Sequence, residues 1–236
     1  MISLHLKKQL RYFDLDISFS CPEGKMLVMV GPSGGGKTTI IRILAGLDVP
    51  DEGKIMFNDE VWFDSVSGSN LPPQKRHLGY VFQEYTLFPH LNLYENAAFA
   101  AADKSEIDEL FGMFKISHLG KRKPHLVSGG ERQRCAICQA LATHPRVLLM
   151  DEPFSALDVV TRRELREELK NLKGKFSFPI IYVTHDINEA LFLGDEILPV
   201  VDGTVDAGWI RRTINREPSH TGIPKAARDP KLALAY

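Results

Sequence analysis

The sequence predicts an α/β fold: a parallel sheet covered on both faces, an N-terminal antiparallel β unit and a helical insertion. Apolar runs at residues 26–30, 147–150 and 180–183 are typical of strands buried on both sides. The first run leads through a glycine-rich loop into an apolar helical segment, which is the order strand, loop, helix. From Glu84 to about His144 the pattern changes to helix and loop, which indicates an insertion into the α/β core.

Length and composition limit the classes of protein that the sequence can encode. The 236 residues are enough for one large domain or a core with a subdomain, and the net charge is −1. That charge argues against a protein that coats a nucleic acid duplex, because such binding needs an excess of Lys and Arg. Three cysteines form no disulfide framework and are typical of a reducing cytoplasm. No signal peptide and no run of about 18 apolar residues is present, so we expect any membrane role to require a partner.

The elements before the insertion follow from alternation and turn signals. Phe13, Leu15, Ile17 and Phe19 share one face of a half-buried strand, and residues 22–25 turn it into the next. A hairpin follows, with residues 54–57 against 61–63 around Asn58 and Asp59. A polar loop is expected over residues 64–70, with a buried strand over residues 79–83.

The later elements are a helix start, a striped helix and a last pair of strands. Residues 105–108 resemble a helix start, and the stripe of Leu165, Leu169 and Leu172 predicts a charged helix between two buried strands. Residues 196–205 are expected to form a strand pair, in which Pro199 indicates an edge or a bulge.

The glycine-rich loop has the composition of a phosphate site. Residues 31–39 match G-x-x-x-x-G-K-[ST], with Gly31, Gly36, Lys37 and Thr38 at the fixed positions. Glycines let successive backbone N–H groups point at phosphate oxygens, and the helix N-terminus adds positive potential. The alternative is a Gly- and Ser-rich turn that binds nothing, and the flanking strand and helix favour phosphate binding.

Polar residues follow three of the predicted strands. Asp151 and Glu152 end one strand, His185 ends the next, and Gln83 follows another. In an open α/β sheet these carboxyl ends line the ligand crevice. Asp151 is the candidate for supporting Mg²⁺, Glu152 for polarising the attacking water, and Gln83 for both tasks. An acidic turn or a structural histidine is the alternative at each position, and we favour contact of His185 with a terminal phosphate.

A second glycine motif identifies a family. Ser128, Gly129 and Gly130 open a helix, which makes a second anion-binding terminus in the same chain. With the residues above and the run 155–158, this order resembles the ATP-binding-cassette ATPases over roughly residues 4–208. The resemblance implies a P-loop NTPase with a RecA-like core, an N-terminal antiparallel β subdomain and a helical signature subdomain. It also implies ATP and Mg²⁺ as ligands.

The resemblance implies one nucleotide-binding domain over residues 1–236. Its core would comprise residues 1–84 and 145–215, its helical subdomain residues 85–144, and its tail residues 216–236. Longer members add a C-terminal regulatory β-domain of about a hundred residues, and we expect none in this chain.

The resemblance also assigns roles to individual residues. Two copies would pair head to tail, with Ser128, Gly129 and Gly130 closing over the partner's ATP and Asp158 signalling across the dimer. Glu152, His185, Gln83 and Lys37 would be catalytic, and Thr38, Gln83 and Asp151 would bind the metal. The nucleotide would be held by the glycine loop: Gly31, Ser33, Gly34, Gly35, Gly36, Lys37, Thr38 and Thr39. Tyr12 is the candidate for stacking on adenine, and a plain exposed strand residue is the alternative.

Residues 79–91 are similar to ATPase subunits of bacterial and archaeal importers, and the compact N-terminal strand looks most like the molybdate and tungstate set. The implied partners are a transmembrane permease, contacted through residues 84–91, and a solute-binding protein, but no nucleic acid. The implied location is the cytoplasmic face of the membrane. Importers of sulfate, iron, sugars or polyamines, exporters, and soluble cassette ATPases remain alternatives. A soluble DNA-repair ATPase would carry a long coiled coil between the two glycine motifs, and no sustained heptads lie there.

Three features depart from the family pattern. Val127 replaces the usual leucine, and Gln139 stands where importers commonly carry arginine, so an ion pair is expected to be missing. Cys135 and Cys138 form a C-x-x-C, for which two small buried residues are favoured over a redox or metal site.

Overall fold

A computed structural model describes residues 1–84 and 86–216. The predicted tail from residue 217 onward and Tyr85 lie outside the described residues. The strands are β1 (Ile2–Gln9), β2 (Asp14–Cys21), β3 (Met26–Val30), β4 (Glu52–Phe57), β5 (Glu60–Asp64), β6 (Ser69–Asn70), β7 (Leu78–Val81), β8 (Val147–Asp151), β9 (Ile180–Thr184), β10 (Glu196–Val201) and β11 (Thr204–Val205). The α-helices are α1 (Lys37–Leu44), α2 (Leu93–Ala98), α3 (Ile107–Met113), α4 (Gly129–Leu141), α5 (Val159–Lys173), α6 (Ile187–Leu193) and α7 (Trp209–Arg216).

The strands form two sheets, as the α/β prediction requires. One is antiparallel with the order β2-β1-β4-β5-β6. The other has the order β11-β10-β3-β9-β8-β7, and only the short β11 runs antiparallel to its neighbour. The carboxyl ends of β3, β7, β8 and β9 therefore meet at one edge of this parallel sheet. That edge carries the residues that the sequence marks as functional.

The parallel sheet separates two hydrophobic clusters. Successive residues of a strand point to opposite faces, and β3 is buried on both. Leu27 and Met29 pack with the antiparallel sheet and α1, whereas Val28 and Val30 pack with the helices α3 to α6. The antiparallel unit therefore covers one face of the core sheet and the helical segments cover the other.

Several element boundaries differ from the sequence predictions. β2 begins at Asp14, so Phe13 and Tyr12 precede the strand instead of belonging to it. β7 ends at Val81, two positions before Gln83, and the polar loop after β5 contains the two-residue strand β6. Pro199 lies in β10, next to the sheet edge, and β11 pairs only with the last two residues of β10.

Helix α4 contains two of the three departures from the family pattern, the cysteine pair and Gln139. Cys135 and Cys138 are buried thiols whose pKa values are raised by burial, that of Cys135 to about 12. Their Sγ atoms lie 3.4 and 3.7 Å from the carbonyl oxygens of Leu93 and Leu110, so they serve as small core residues. Gln139 donates from Nε2 to the carbonyl of Asn96 at 3.1 Å, so the position that importers commonly give to arginine here makes a neutral hydrogen bond to α2.

Candidate nucleotide-binding site

The loop between β3 and α1 needs glycine for two different reasons. Gly34 and Gly36 have φ of 80° and 98°, in the left-handed region where side chains are strained. Gly31 has no room for a side chain, since a Cβ there would lie 1.9 Å from the carbonyl oxygen of Val200 in β10. The loop is therefore held tightly against the neighbouring strand.

Gly31→Ala should lower the free energy of unfolding by about 1–3 kcal/mol, because the added methyl group must displace the backbone of β10. Urea denaturation followed by circular dichroism would measure the change. Gly174→Ala is the matched control, since no heavy atom lies within 4 Å of the Cβ position there. Equal midpoints for Gly31→Ala and the unaltered protein would contradict the tight contact.

Lys37 places a buried positive charge beneath this loop. Lys37 is only 4% exposed, and burial lowers the pKa of its ammonium group. Nζ donates to the carbonyl oxygens of Gly31 at 2.9 Å and Pro32 at 2.8 Å. No side chain in the described part of the chain caps the N-terminus of α1, where Gly36 is the N-cap residue. A buried cation beside an uncapped helix N-terminus suits an anion.

The end of β8 supplies oxygen atoms beside the loop. Asp151 accepts hydrogen bonds from Thr38 Oγ1 at 3.2 Å and from the Tyr80 hydroxyl at 3.4 Å. Burial raises the pKa of the Asp151 carboxyl, and that of the Tyr80 hydroxyl as well. Hydroxyl and carboxylate oxygens are ligands that Mg²⁺ accepts. The donor set of Thr38, Asp151 and the nearby Gln83 amide therefore fits a hard divalent cation.

Glu152 and His185 meet at the ends of the adjacent strands β8 and β9. His185 Nδ1 lies 2.8 Å from Glu152 Oε2, and the histidine side chain is 49% exposed. Glu152 has a φ of 44°, which only a few per cent of residues other than glycine adopt. Its N–H still donates to the Val183 carbonyl at 3.0 Å, so the backbone of Glu152 remains bonded to β9 just past the end of β8.

A cleft of about 390 Å³ brings most of the predicted residues together. The residues that line it are Leu10, Tyr12, Phe13, Ser33, Gly34, Gly36, Lys37, Thr38, Thr39, Gln83 and Glu152. Tyr12 is 82% exposed, and the guanidinium carbon of Arg11 lies 5.2 Å from the centre of its ring. Within residues 1–84 and 86–216, the predicted site residues that do not line the cleft are Gly31, Gly35, Ser128, Gly129, Gly130, Asp151, Asp158 and His185.

The second glycine motif and Asp158 lie at the N-termini of two other helices, α4 and α5. Ser128 caps α4 in a capping box with Glu131, and Asp158 caps α5 by accepting from Val160 and Thr161. Both cap residues are exposed. A Cβ on Gly130 would lie 2.4 Å from Thr161 Cγ2, so the first turns of α4 and α5 touch. The chain thus carries two separate polar surfaces, the cleft and this pair of helix ends.

Three residues near the cleft are not among the site residues that the sequence motifs predict. Leu10 and Phe13 line it, and Tyr80 donates to Asp151 from the neighbouring strand. Leu10 has no motif around it, and Phe13 looks like part of the apolar stripe of β2. Tyr80 could have been found, because it lies in the strand that ends just before Gln83.

Comparisons with known proteins agree with this geometry. The family model described as ABC transporter matches residues 15–155. The chain is 38% identical to the sulfate/thiosulfate import ATP-binding protein CysA 2 of Agrobacterium fabrum, over 97% of this chain and 70% of that protein. It is 42% identical to the molybdate/tungstate import ATP-binding protein WtpC of Thermococcus kodakarensis, over 91% and 66%. It is 39% identical to the spermidine/putrescine import ATP-binding protein PotA of Aliivibrio fischeri, over 93% of this chain and 58% of that protein.

A solved structure shares the fold. The ATP-binding cassette MJ0796, a dimer in a post-hydrolysis state with ADP and phosphate, aligns with a TM-score of 0.71 and 30% identity. The alignment covers 87% of this chain and 97% of that one. Across the curated relatives, the chain spans between 55% and 70% of their length.

Proposed function

The chain belongs to the ABC transporter family of ATPases, and from this premise we propose that it hydrolyses Mg²⁺-bound ATP to drive a membrane importer. The observation that carries the proposal is the cleft that Lys37 and the N-terminus of α1 share with Glu152, whose carboxylate contacts His185. This arrangement offers positive charge for the phosphates and a carboxylate for the attacking water. Every helix within residues 1–84 and 86–216 is too short or too polar to cross a bilayer.

The residues of the cleft divide the chemical work among them. The N–H groups of residues 33–39 and the ammonium of Lys37 would bind the β- and γ-phosphates. Thr38, Asp151 and Gln83 would hold Mg²⁺, which neutralises phosphate charge when bound. His185 Nδ1 would donate to Glu152 Oε2, which leaves Oε1 free to accept the proton of the attacking water. Tyr12 would stack on adenine, since it lines the cleft and its ring is exposed.

We propose that the site is completed by a second copy of the chain. Ser128 and Gly130 lie outside the cleft lining of their own chain, yet Ser128 is exposed at a helix N-terminus. In a head-to-tail dimer the motif of one copy would contact the phosphates in the cleft of the other. The dimeric state of the similar cassette supports this assembly. Asp158, exposed at the start of α5, would lie between the copies.

Two inactive variants should restore each other's activity if the site is shared. Lys37→Ala disables the cleft, and Ser128→Arg fills the second motif with a bulky side chain. In a mixed dimer both defects fall in one site, and the other site contains only unaltered residues. We expect ATP hydrolysis by the mixture to exceed the sum of the separate rates, measured as phosphate release. Mixtures of Lys37→Ala with Glu152→Gln are the control, because both changes affect the same half-site. A mixture no more active than its parts would argue against a shared site.

We propose an oxyanion such as tungstate or molybdate as the transported solute, delivered by a solute-binding protein to a permease at the cytoplasmic face of the membrane. The support is the similarity to import proteins named for molybdate, tungstate and sulfate. The similarity to PotA favours a polyamine as the second candidate. Co-purification of the permease, followed by uptake assays with tungstate, molybdate, sulfate and spermidine, would decide between them. ATP-dependent release in place of uptake would indicate an exporter.

A further inference from the structure

Helix α5 presents two arginines, one helical turn apart, to the ends of β8 and β9. Arg162 and Arg166 are at positions i and i+4 and therefore share one face of the helix. The side chain of Arg166 is only 18% exposed. Glu152 and His185 stand at the two strand ends that this face contacts. Neither arginine belongs to the motifs that define the nucleotide cleft.

Arg162 binds the loop that follows Glu152. It donates from Nε to the carbonyl of Phe154 at 3.1 Å, and from Nη2 to those of Ser155 at 3.2 Å and Leu157 at 2.8 Å. Ser155 in turn donates to the carbonyl of Glu152, from its N–H at 3.1 Å and from Oγ at 2.9 Å. A chain of hydrogen bonds thus runs from the guanidinium to the backbone of Glu152.

Arg166 binds the segment around His185. It donates from Nη2 to Asp186 Oδ2 at 2.7 Å and from Nε to Glu189 Oε1 at 2.8 Å. Asp186 directly follows His185 and caps α6. Glu189, only 4% exposed, accepts a hydrogen bond from the Thr184 hydroxyl, directly before His185. The guanidinium of Arg166 therefore binds Asp186 directly and Thr184 through Glu189, and these are the residues on either side of His185.

A small pocket lies among these groups. A pocket of about 10 Å³, lined in part by Glu152, Arg162, Arg166 and His185, separates them. That volume is about the size of one water molecule. Both arginines, Glu152 and His185 therefore border one common space, and the hydrogen bonds of the arginines fix the backbone on either side of it.

We propose that Arg162 and Arg166 are positioning residues that hold Glu152 and His185 in the geometry needed for hydrolysis. The inference rests on the proposed function, because it takes these two residues as the groups that act on the attacking water. A displacement of about 1 Å at a reacting group can cost about 100-fold in rate. Within the described residues, neither arginine lines the larger cleft, so nucleotide binding should not depend on them.

Arg162→Gln and Arg166→Gln should each lower kcat by about 10- to 100-fold and change the Kd for ATP by less than about twofold. Steady-state phosphate release and titration calorimetry would give the two constants. Arg163→Gln is the matched control, since Arg163 is an exposed arginine of the same helix. A kcat within about twofold of the unaltered protein for both variants would overturn the inference.

A second measurement separates positioning from loss of folding. Arg166→Lys keeps a positive charge beside Glu189 but lacks the planar fork, so we expect partial recovery of kcat. The imidazole ¹⁵N signals of His185, identified by their loss in His185→Gln, should shift in Arg166→Gln as the contact with Glu152 loosens. Unshifted signals together with a lowered kcat would count against the inference. If the unaltered protein and Arg163→Gln do not hydrolyse ATP, the proposed function fails instead.

Discussion

Glu152→Gln should lower the rate of ATP hydrolysis by about 100- to 1000-fold and leave ATP binding intact. The amide has the shape of the carboxylate and can still accept a hydrogen bond from His185 Nδ1, so the local structure should persist. It cannot accept a proton from water at neutral pH. The change also removes a negative charge from a cleft that would hold phosphates, which favours binding. ATP-loaded dimers should therefore accumulate.

Phosphate release, calorimetry and light scattering would test these three expectations. Glu167→Gln, at an exposed position on α5, is the control for loss of a glutamate charge. Turnover equal to that of the unaltered protein would remove Glu152 as the general base. Loss of ATP binding would instead mean that Glu152 holds the nucleotide.

Lys37→Ala should weaken ATP binding by about 10- to 100-fold, because hydrogen bonds to a charged group contribute about 1.5–3 kcal/mol. The ammonium group is buried at the base of the cleft and lies near the carboxylates of Asp151 and Glu152. Without a bound anion, its partners are the carbonyl oxygens of Gly31 and Pro32. A phosphate would offer it a negatively charged partner in a site of low dielectric.

Calorimetry with ATP would measure the loss of affinity. Lys37→Met keeps most of the aliphatic stem and should show the same loss, which separates charge from packing. Lys25→Ala removes an exposed lysine from the turn before β3 and should bind like the unaltered protein. Unchanged affinity in both Lys37 variants would contradict the phosphate assignment.

Local patterns predict the elements of this fold well where burial is one-sided or complete. The alternation of Leu15, Ile17 and Phe19 is confirmed in β2, and the leucine stripe of α5 is buried. Ile2, Leu4 and Leu6 alternate in the same way in β1. The sequence predicts the antiparallel unit to which β1 belongs but does not give the bounds of this strand. β6 is different, because Ser69 and Asn70 join the sheet through backbone pairing with β5, and polar residues carry no signal for it.

The sequence predicts those residues of the candidate site that lie at the carboxyl ends of strands. The parallel sheet brings Glu152 and His185 together, since their strands are neighbours. The pattern cannot show that Tyr12 precedes β2, or that Arg162 and Arg166 turn inward. On a charged helix an arginine looks like a surface residue, and only the positions of Asp186 and Glu189 in space reveal its partners.

The left-handed backbone of Glu152 has a consequence for how this protein could be stabilised. A residue other than glycine at a φ of 44° lowers the free energy of unfolding by about 1–2 kcal/mol relative to glycine. We therefore expect Glu152→Gly to make the folded protein more stable. Selection for stability alone would thus favour loss of the carboxylate. Under the role proposed for Glu152, activity and stability would therefore make opposite demands on this position. Libraries screened only for heat resistance should recover inactive glycine variants at position 152.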